Sequence, residues 1–154
     1  MSSRLSPITR VTPQVLLTAT ISVRTSGIGF IEITRDAADF LREAKAADGA
    51  LTVFLRHTSA SLTIQENADP DVQTDLTDAL NRLAPQHAGY IHDTEGPDDM
   101  PAHIKAMLTG VSLTIPVHDG KAALGTWQGI YLIEHRDAPH TREIVLQFIG
   151  STQA

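Results

Sequence analysis

The sequence predicts a single α+β domain built on one large mixed or antiparallel β-sheet, or a sandwich, with about three helices. The chain has 154 residues, which is the length of one domain. Segments with strand periodicity occur in runs of two to four, and helical segments interrupt them without regular βαβ alternation. Because no linker or repeat divides the chain, we expect one domain over residues 12–150 and an N-terminal tail over residues 1–11.

The first part of the chain predicts four strands and one helix. The segment "VLLTATISVR" alternates apolar and polar residues, and "SGIGF" supplies hairpin glycines before the strand "FIEIT". From Asp36 the apolar residues recur every three or four positions as far as Ala47, and Gly49 is placed to cap a helix. The segments "ALTVFLR" and "ASLTIQE" then return to strand chemistry.

The second helix has the clearest start signal, because Asp69 is suited to the N-cap and Pro70 to the first helical position. Its predicted buried stripe consists of Val72, Leu76, Leu80 and Leu83. A third, shorter helix is expected from Pro101 to Leu108, ending at Gly110, with its inward residues being Ile104, Met107 and Leu108.

Three strands are expected after the helices. The segment "VSLTIPVHDGK" reads as a strand that enters an Asp119-Gly120 turn. The segments "GIYLIEHR" and "REIVLQFIG" complete the chain, and both carry apolar residues on two faces, which would suit a subunit interface.

Composition excludes several function classes. Eighteen acidic and twelve basic residues give a net charge of −6 with interspersed signs, so we expect no broad nucleic-acid surface, although a local anion pocket is allowed. Without cysteine, any metal must be bound by His, carboxylate, amide or water. The longest apolar run, Ile130 to Ile133, is far too short for a bilayer span, so no membrane contact and a cytoplasmic location are expected.

A first polar cluster lies in "RHTSASLTIQENADPDV". Exposed strand positions, a turn and a helix cap account for part of it. They do not require His57 at the exit of an apolar strand, or Glu66 and Asn67 just before a helix start, where free backbone N–H groups converge. We therefore expect these residues to line a ligand or metal site.

A second cluster lies in "YIHDTEGPDDMPAHIK". Asp99 and His103 are four residues apart, which places them on nearly one face of a helix, and His92 precedes them. Histidine and carboxylate ligands without sulfur suit a divalent transition metal. The alternative is an acidic first helical turn that follows a solvated loop.

The segment "GTWQGIYLIEHR" contains the only tryptophan, Trp127, between Gly125 and Gly129. Close backbone approach beside a flat aromatic ring could form a stacking wall for a ring-shaped ligand. A buried tryptophan that braces the sheet is the alternative. Further along, Arg142 could bind a phosphate group or could serve only the surface.

Four segments, "HTSASLTIQENADPDV", "DDMPAHIKAMLTG", "IPVHDGKAALGTWQGIYLIEHR" and "REIVLQF", together resemble the YjbQ-like family, described as secondary thiamine-phosphate synthases. The likeness runs in order from the first strand to the last and covers nearly the whole chain. It implies an α+β fold on a large sheet that assembles as a homotrimer. It also implies weak thiamine-phosphate synthase activity, which joins hydroxymethylpyrimidine diphosphate to thiazole phosphate with loss of pyrophosphate.

The family motifs fall on a defined set of positions in this sequence: His57, Thr58, Ser59 and Ala60; Glu66 and Asn67; Asp69 and Pro70; Asp99, His103 and Lys105; and Gly125 to Gln128. From the clusters and the resemblance, we expect catalytic roles for His57, Glu66 and His103. The expected metal ligands are His57, His92, Asp99 and His103. The expected substrate-binding residues are Ser59, Asn67, Lys105, Trp127, Gln128 and Arg142.

The leading hypothesis is an enzyme of the thiamine-phosphate synthase type, in which a divalent ion (Zn, Ni, Mn, Fe or Mg) neutralises the departing pyrophosphate. The dedicated synthases are β/α barrels, which need about 250 residues, so this chain cannot adopt their fold. The rival hypothesis is a non-catalytic homotrimer that binds a metal or a small phosphorylated metabolite.

Overall fold

The computed structural model describes residues 4–154 and contains eight strands and three helices. The strands are β1 (Val15–Arg24), β2 (Gly29–Glu32), β3 (Ala46–Leu55), β4 (Ala60–Glu66), β5 (Ser112–His118), β6 (Lys121–Ala122), β7 (Gln128–Glu134) and β8 (Thr141–Thr152). The helices are α1 (Thr34–Glu43), α2 (Pro70–Leu83) and α3 (Asp99–Thr109).

The strands form two antiparallel sheets. The five-stranded sheet has the order β1-β8-β3-β5-β6, and the three-stranded sheet has the order β2-β7-β4. The last strand of the chain, β8, therefore lies between β1 and β3 and pairs with both along most of its length. This architecture confirms the predicted α+β class, with antiparallel sheets and three helices.

One hydrophobic core joins the two sheets and α1. Leu51 and Phe148 come from the larger sheet, Leu62 and Leu132 from the smaller one, and Leu41 from the helix. Strand β7 is buried along its whole length after Gln128. Segments of the same chain therefore cover both faces of "GIYLIE", and the expectation that a partner subunit covers its second face was wrong for this strand.

The first helix ends earlier than its apolar period predicted. Helix α1 stops at Glu43, and β3 begins at Ala46, so Ala47 and Gly49 belong to a strand. Gly49 is not a helix cap. It lies where the backbones of β3 and β8 approach closely, because a Cβ atom there would be 2.1 Å from the Ile149 carbonyl oxygen. The pairing of this segment with β8 overrides its helical periodicity.

The start of α2 is confirmed, because the Asp69 side chain accepts a hydrogen bond from the Asp71 backbone N–H and Pro70 opens the helix. Its predicted apolar stripe is at most partly buried, and Leu83 is 68% exposed.

The inward face of α3 was predicted wrongly. Met107 and Leu108 are exposed, whereas the buried positions of this helix include Asp99 and Lys105. The helix begins two residues before the predicted start, and a buried polar network sets its rotation. Gly110 ends it as expected, with a positive φ of 95°.

The segment before β1, residues 4–14, is exposed and contains no helix or strand. It corresponds to most of the predicted tail, of which residues 1–3 lie outside the described part of the chain. Within residues 4–154, none of the helices combines the length and the apolar character that a membrane crossing needs.

Replacing Gly49 with Ala is expected to lower the free energy of unfolding by about 3 kcal/mol, because the added methyl group has to displace the β8 backbone. Gly29→Ala is the matched control, since a Cβ atom there meets nothing within 4 Å. Its effect should stay within about 0.5 kcal/mol. Urea unfolding of both variants measures the difference, and equal stabilities would contradict the close crossing.

Candidate metal centre

Three predicted metal ligands converge at the start of α3. One donor atom from each of His92, Asp99 and His103 lies within 4.8 Å of the other two. The Asp99 Oδ2 atom is 2.7 Å from His92 Nε2 and 3.4 Å from His103 Nε2. The two imidazole rings are tilted by 53° with their centroids 5.5 Å apart. Residues from the loop before α3 and from its first turns therefore face one point.

The carboxylate of this group is buried and held by Arg136, which follows β7. Arg136 donates from Nη1 to Asp99 Oδ1 at 2.8 Å and from Nε to Asp98 Oδ2 at 2.8 Å. Its third donor, Nη2, reaches the Glu95 carbonyl oxygen. The hydrogen bond to Asp98 also raises the pKa of Arg136. Since the arginine occupies Oδ1 of Asp99, the other carboxylate oxygen is left to face the two histidines.

A backbone contact fixes the tautomer of His103. Its Nδ1 lies 2.9 Å from the carbonyl oxygen of Thr58, in the loop between β3 and β4. A carbonyl only accepts, so Nδ1 carries a proton, and in the neutral imidazole the lone pair of Nε2 faces Asp99. This arrangement, with the second ring nitrogen bound to a carbonyl, is common among histidines that bind metals.

The donor set fits a divalent cation. Two imidazoles and one carboxylate suit Zn, Ni, Mn or Fe better than Mg, which prefers oxygen ligands. Ligands on one ion lie about 3.3 Å apart when metal–ligand distances are about 2.0–2.1 Å, so the observed spacing requires only small movements. Three protein ligands also leave positions for water or substrate, as catalytic sites do.

His57, the fourth predicted ligand, is engaged elsewhere. Its Nε2 accepts a hydrogen bond from the Glu143 backbone N–H at 2.8 Å. Burial, followed by the charge of Arg142, lowers the pKa of His57. The structure therefore groups three of the four predicted ligands, while His57 immediately precedes Thr58, which contacts His103.

The predicted phosphate-binding cations are used inside the protein. Lys105 is buried and donates to Asn81 Oδ1 at 2.6 Å, and burial lowers the pKa of its ammonium group. Arg142 is also buried, so its alternative surface role is excluded. Its guanidinium donates to both carboxylate oxygens of Glu134 and to the side chain and carbonyl of Ser59. Burial is the largest single effect and would raise the pKa of Glu134, but the hydrogen bonds from Arg142, the Arg136 N–H and Thr25 together outweigh it and lower that pKa.

The remaining predicted site residues lie at the opposite end of β4. The strand separates His57 from Glu66 by about 20 Å, at about 3.3 Å per residue over Ala60–Glu66. Glu66 is paired in register with Gln128. Within one chain, this second group does not share a small ligand with the histidines.

Polar atoms in this second group are only partly satisfied. Among residues 4–154, Glu66 Oε2 is the one buried side-chain oxygen without a hydrogen-bond partner. Asn67 donates to Glu32 Oε1 at 3.4 Å, and Gln128 accepts from the Gly125 N–H. Trp127 is 63% exposed, so it does not brace the core.

A buried Ser61–His135 pair was missed by the sequence analysis. The Ser61 hydroxyl lies 2.8 Å from His135 Nε2, and both residues are almost inaccessible to solvent. Burial, and after it the charge of Lys105, lowers the pKa of His135 to about 3. Arg136 and Asp98 were missed as well. The signal for Arg136 was the polar run "EHR", which begins at the last residue of the apolar strand β7, but this run did not point to Asp98, which lies just before α3.

A family model described as UPF0047 protein YjbQ-like matches residues 19–151. The chain belongs to the UPF0047 family of YjbQ-like proteins. The YjbQ protein of Escherichia coli O157:H7 is 44% identical over 135 residues, covering 86% of this chain and 96% of its own length. A UPF0047 protein of Synechocystis is 56% identical over 103 residues, which cover 66% and 70% of the two chains.

Solved structures of relatives show the same fold. A crystal structure of an uncharacterised YjbQ/UPF0047 family protein from Clostridium acetobutylicum superposes with a TM-score of 0.79 at 41% identity, over 84% of this UPF0047 chain and 98% of the other. A hypothetical protein from Aeropyrum pernix gives a TM-score of 0.81 at 26% identity, over 88% and 99% of the two chains.

The buried His135 should make stability depend on pH. Its folded pKa of about 3 lies below the ordinary value of 6.5, so the unfolded chain binds a proton that the folded chain excludes between these values. The free energy of unfolding should therefore fall as the pH decreases from 6.5 toward 3, by up to about 1.4 kcal/mol per pH unit from this group.

Urea unfolding at several pH values tests this dependence. In His135→Gln, whose amide can still bond Ser61, the stability loss on acidification should be smaller than in the wild type. The same substitution at exposed His87 should leave it unchanged. An identical acid response in the wild type and His135→Gln would contradict a neutral buried imidazole.

Proposed function

We propose that this UPF0047 protein is a divalent-metal-dependent enzyme that acts on a small phosphorylated metabolite, by a reaction of the thiamine-phosphate synthase type. The observation that carries the proposal is the convergence of His92, Asp99 and His103 around one point, with the carboxylate buried and oriented. In the proposed reaction, hydroxymethylpyrimidine diphosphate is joined to thiazole phosphate and pyrophosphate is released.

The chain's own residues prepare the donors. Arg136 holds Asp99 by one oxygen and keeps the carboxylate turned toward the imidazoles. The Thr58 carbonyl holds the proton of His103 on Nδ1. His92 directs Nε2 at Asp99, and a bound cation would replace the proton between them. When bound, the divalent ion supplies positive charge that offsets the charge of a diphosphate leaving group.

The internal use of the basic side chains supports a metal requirement. A departing pyrophosphate carries several negative charges, and synthesis needs them to be offset. Lys105 and Arg142 are buried in protein hydrogen bonds, and Arg136 is saturated by carboxylate and carbonyl oxygens. Because these three basic side chains are engaged inside the protein, the ion would provide the charge that offsets the leaving group.

The second candidate is a non-catalytic protein that binds a metal or a phosphorylated metabolite. Strand β4 is about 20 Å long at about 3.3 Å per residue, and within one chain it separates the three donors from Glu66 and Trp127. This separation favours the binding protein, because Glu66 was the predicted acid or base. Turnover separates the candidates: the enzyme releases many pyrophosphate molecules per chain, whereas the binding protein takes up ligand only stoichiometrically.

Metal binding should depend on the three donors. Titration of metal-stripped protein with Zn²⁺ by calorimetry should show one site per chain. His92→Ala and His103→Ala should each weaken it at least about tenfold, since each removes one of three ligands. His118→Ala is the control, because this exposed histidine belongs to the hairpin at the end of β5. Absence of saturable binding in the wild type, or equal affinity in all variants, would contradict the metal centre.

Replacing site histidines should reduce the rate of pyrophosphate release much more than the free energy of unfolding. His57→Ala and His103→Ala are each expected to abolish thiamine-phosphate synthase activity, measured as pyrophosphate release, while the free energy of unfolding falls by about 1 kcal/mol. His57→Ala removes the acceptor of the Glu143 N–H and so releases the loop at Thr58, whose carbonyl orients the proposed ligand His103, and His103→Ala removes that ligand. Wild-type activity in both variants, with unchanged melting, would favour the binding protein.

A homotrimer is also proposed. The outer face of the five-stranded sheet carries an apolar row across four strands, formed by Leu16, Ile149, Ala50 and Pro116 in register. Leu16 is 60% and Ile149 46% exposed in the single chain. A closed ring of three subunits would bury such rows.

Light scattering should return about 50 kDa, which is three times the 16.6 kDa chain. The double variant Leu16→Glu with Ile149→Glu should shift the mass toward 16.6 kDa. Met107→Glu, which changes an exposed apolar residue on α3, is the control. A monomeric wild type at micromolar concentration would refute the trimer.

A further inference from the structure

A cavity lies on the side of the molecule formed by α1, the β5–β6 hairpin and Gln153, which follows β8. Its volume is about 440 Å³, within the range of about 300–1,000 Å³ that is typical of small-molecule sites. It shares no residue with the metal centre. We refer to it as the α1–hairpin cavity.

The inner wall of the α1–hairpin cavity is apolar. Leu41 of α1 and Ala46 of β3 are buried, and Ala122 and Leu124 are partly buried after the hairpin. An apolar wall that is open to solvent favours a ligand with a hydrocarbon or aromatic part, because binding removes apolar surface from water.

The rim of the α1–hairpin cavity is basic. Lys45, Lys121 and Arg42 line it, so it contains two of the three lysines of a chain whose net charge is −6. Among residues 4–154, no carboxylate lies within 4.0 Å of either lysine ammonium group, and Arg42 pairs only with exposed Asp39. With Asp119 as the lining carboxylate, cations outnumber anions three to one. The rim therefore favours an anionic group.

Backbone hydrogen bonds and turns fix the positions from which both lysine side chains extend. Lys45 has a φ of 50°, a left-handed conformation in which glycine is the usual residue after a helix. Its N–H donates to the Arg42 carbonyl at 3.0 Å, and its carbonyl accepts from the Gln153 N–H at 2.7 Å. Lys121 follows the Asp119-Gly120 turn on the opposite wall. Cations at the end of α1 also suit the helix dipole, but that does not account for Lys121 in the hairpin.

We propose that the α1–hairpin cavity binds a small organic anion that has an apolar ring or chain, such as an aromatic carboxylate or phosphate monoester. The apolar wall takes the ring or chain, and Lys45, Lys121 and Arg42 take the negative charge. This site is separate from the metal centre and does not depend on the proposed catalytic function.

Phenyl phosphate is the probe, with benzyl alcohol as the neutral ring and inorganic phosphate as the anion without a ring. Calorimetric titration uses the full chain without metal, and is repeated in His103→Ala so that the metal centre cannot account for binding. The test variants are Lys45→Gly with Lys121→Gln, which remove the charges. Arg82→Gln, exposed in the last turn of α2, is the matched charge control. Ala38→Trp fills the cavity from α1.

One phenyl phosphate should bind per chain, more tightly than either fragment. The double lysine variant should weaken it at least about tenfold without changing benzyl alcohol binding, and Ala38→Trp should abolish both. Arg82→Gln should bind normally. Lys45→Gly should melt at or above the wild-type temperature, because glycine relieves the left-handed backbone, so lost binding would not reflect misfolding. Absence of saturable binding, equal affinity in the lysine variant, or loss of binding in His103→Ala would overturn the proposal.

Discussion

Arg136 joins the end of β7 to the start of α3 through hydrogen bonds to Asp98, Asp99 and the Glu95 carbonyl. One rigid guanidinium thus fixes the rotation of the helix and the orientation of its first carboxylate. A lysine could not reproduce these three directions, because its ammonium group is a single point charge without a planar fork. The position of both histidines relative to Asp99 follows from this contact, since His103 lies on the same helix and His92 in the loop that enters it.

Burial of Asp98 and Asp99 costs desolvation free energy, which neighbouring hydrogen bonds offset. Burial is the largest single effect and would raise the pKa of Asp98, but the hydrogen bonds from Arg136 and from the Asp137 N–H, with the charge of Arg136, together lower it, so the charged form is retained beside Asp99. The neighbouring Arg142–Glu134 pair solves the same problem deeper in the core, with Thr25 and Ser59 as further partners. Two arginines near the end of β7 therefore neutralise internal carboxylates, and neither is free for a ligand.

Local signals in the sequence were sufficient for several features. The Asp69-Pro70 helix start, the Gly110 stop and the spacing of Asp99 and His103 depend on neighbours along the chain, and all three appear in the structure. Features set by distant partners were not visible. Lys105 is buried because its ammonium group donates a hydrogen bond to Asn81 of α2, and Gly49 belongs to a strand because β8 passes close to it. Glu66 and His57 looked like one site because they are near in sequence, but a strand of seven residues separates them in space.

The central place of β8 determines the order in which the chain can fold. Strand β8 lies between β1 and β3, so the larger sheet cannot close until residues 141–152 are available for pairing. Until then, β1 has no partner strand in its sheet and one edge of β3 is open to association with other chains. Contacts such as Thr25 with Glu134, 109 residues apart, are also long-range, and such pairing slows folding. A fragment that lacks β8 therefore cannot form the native five-stranded sheet, because β1 pairs with no other strand in it.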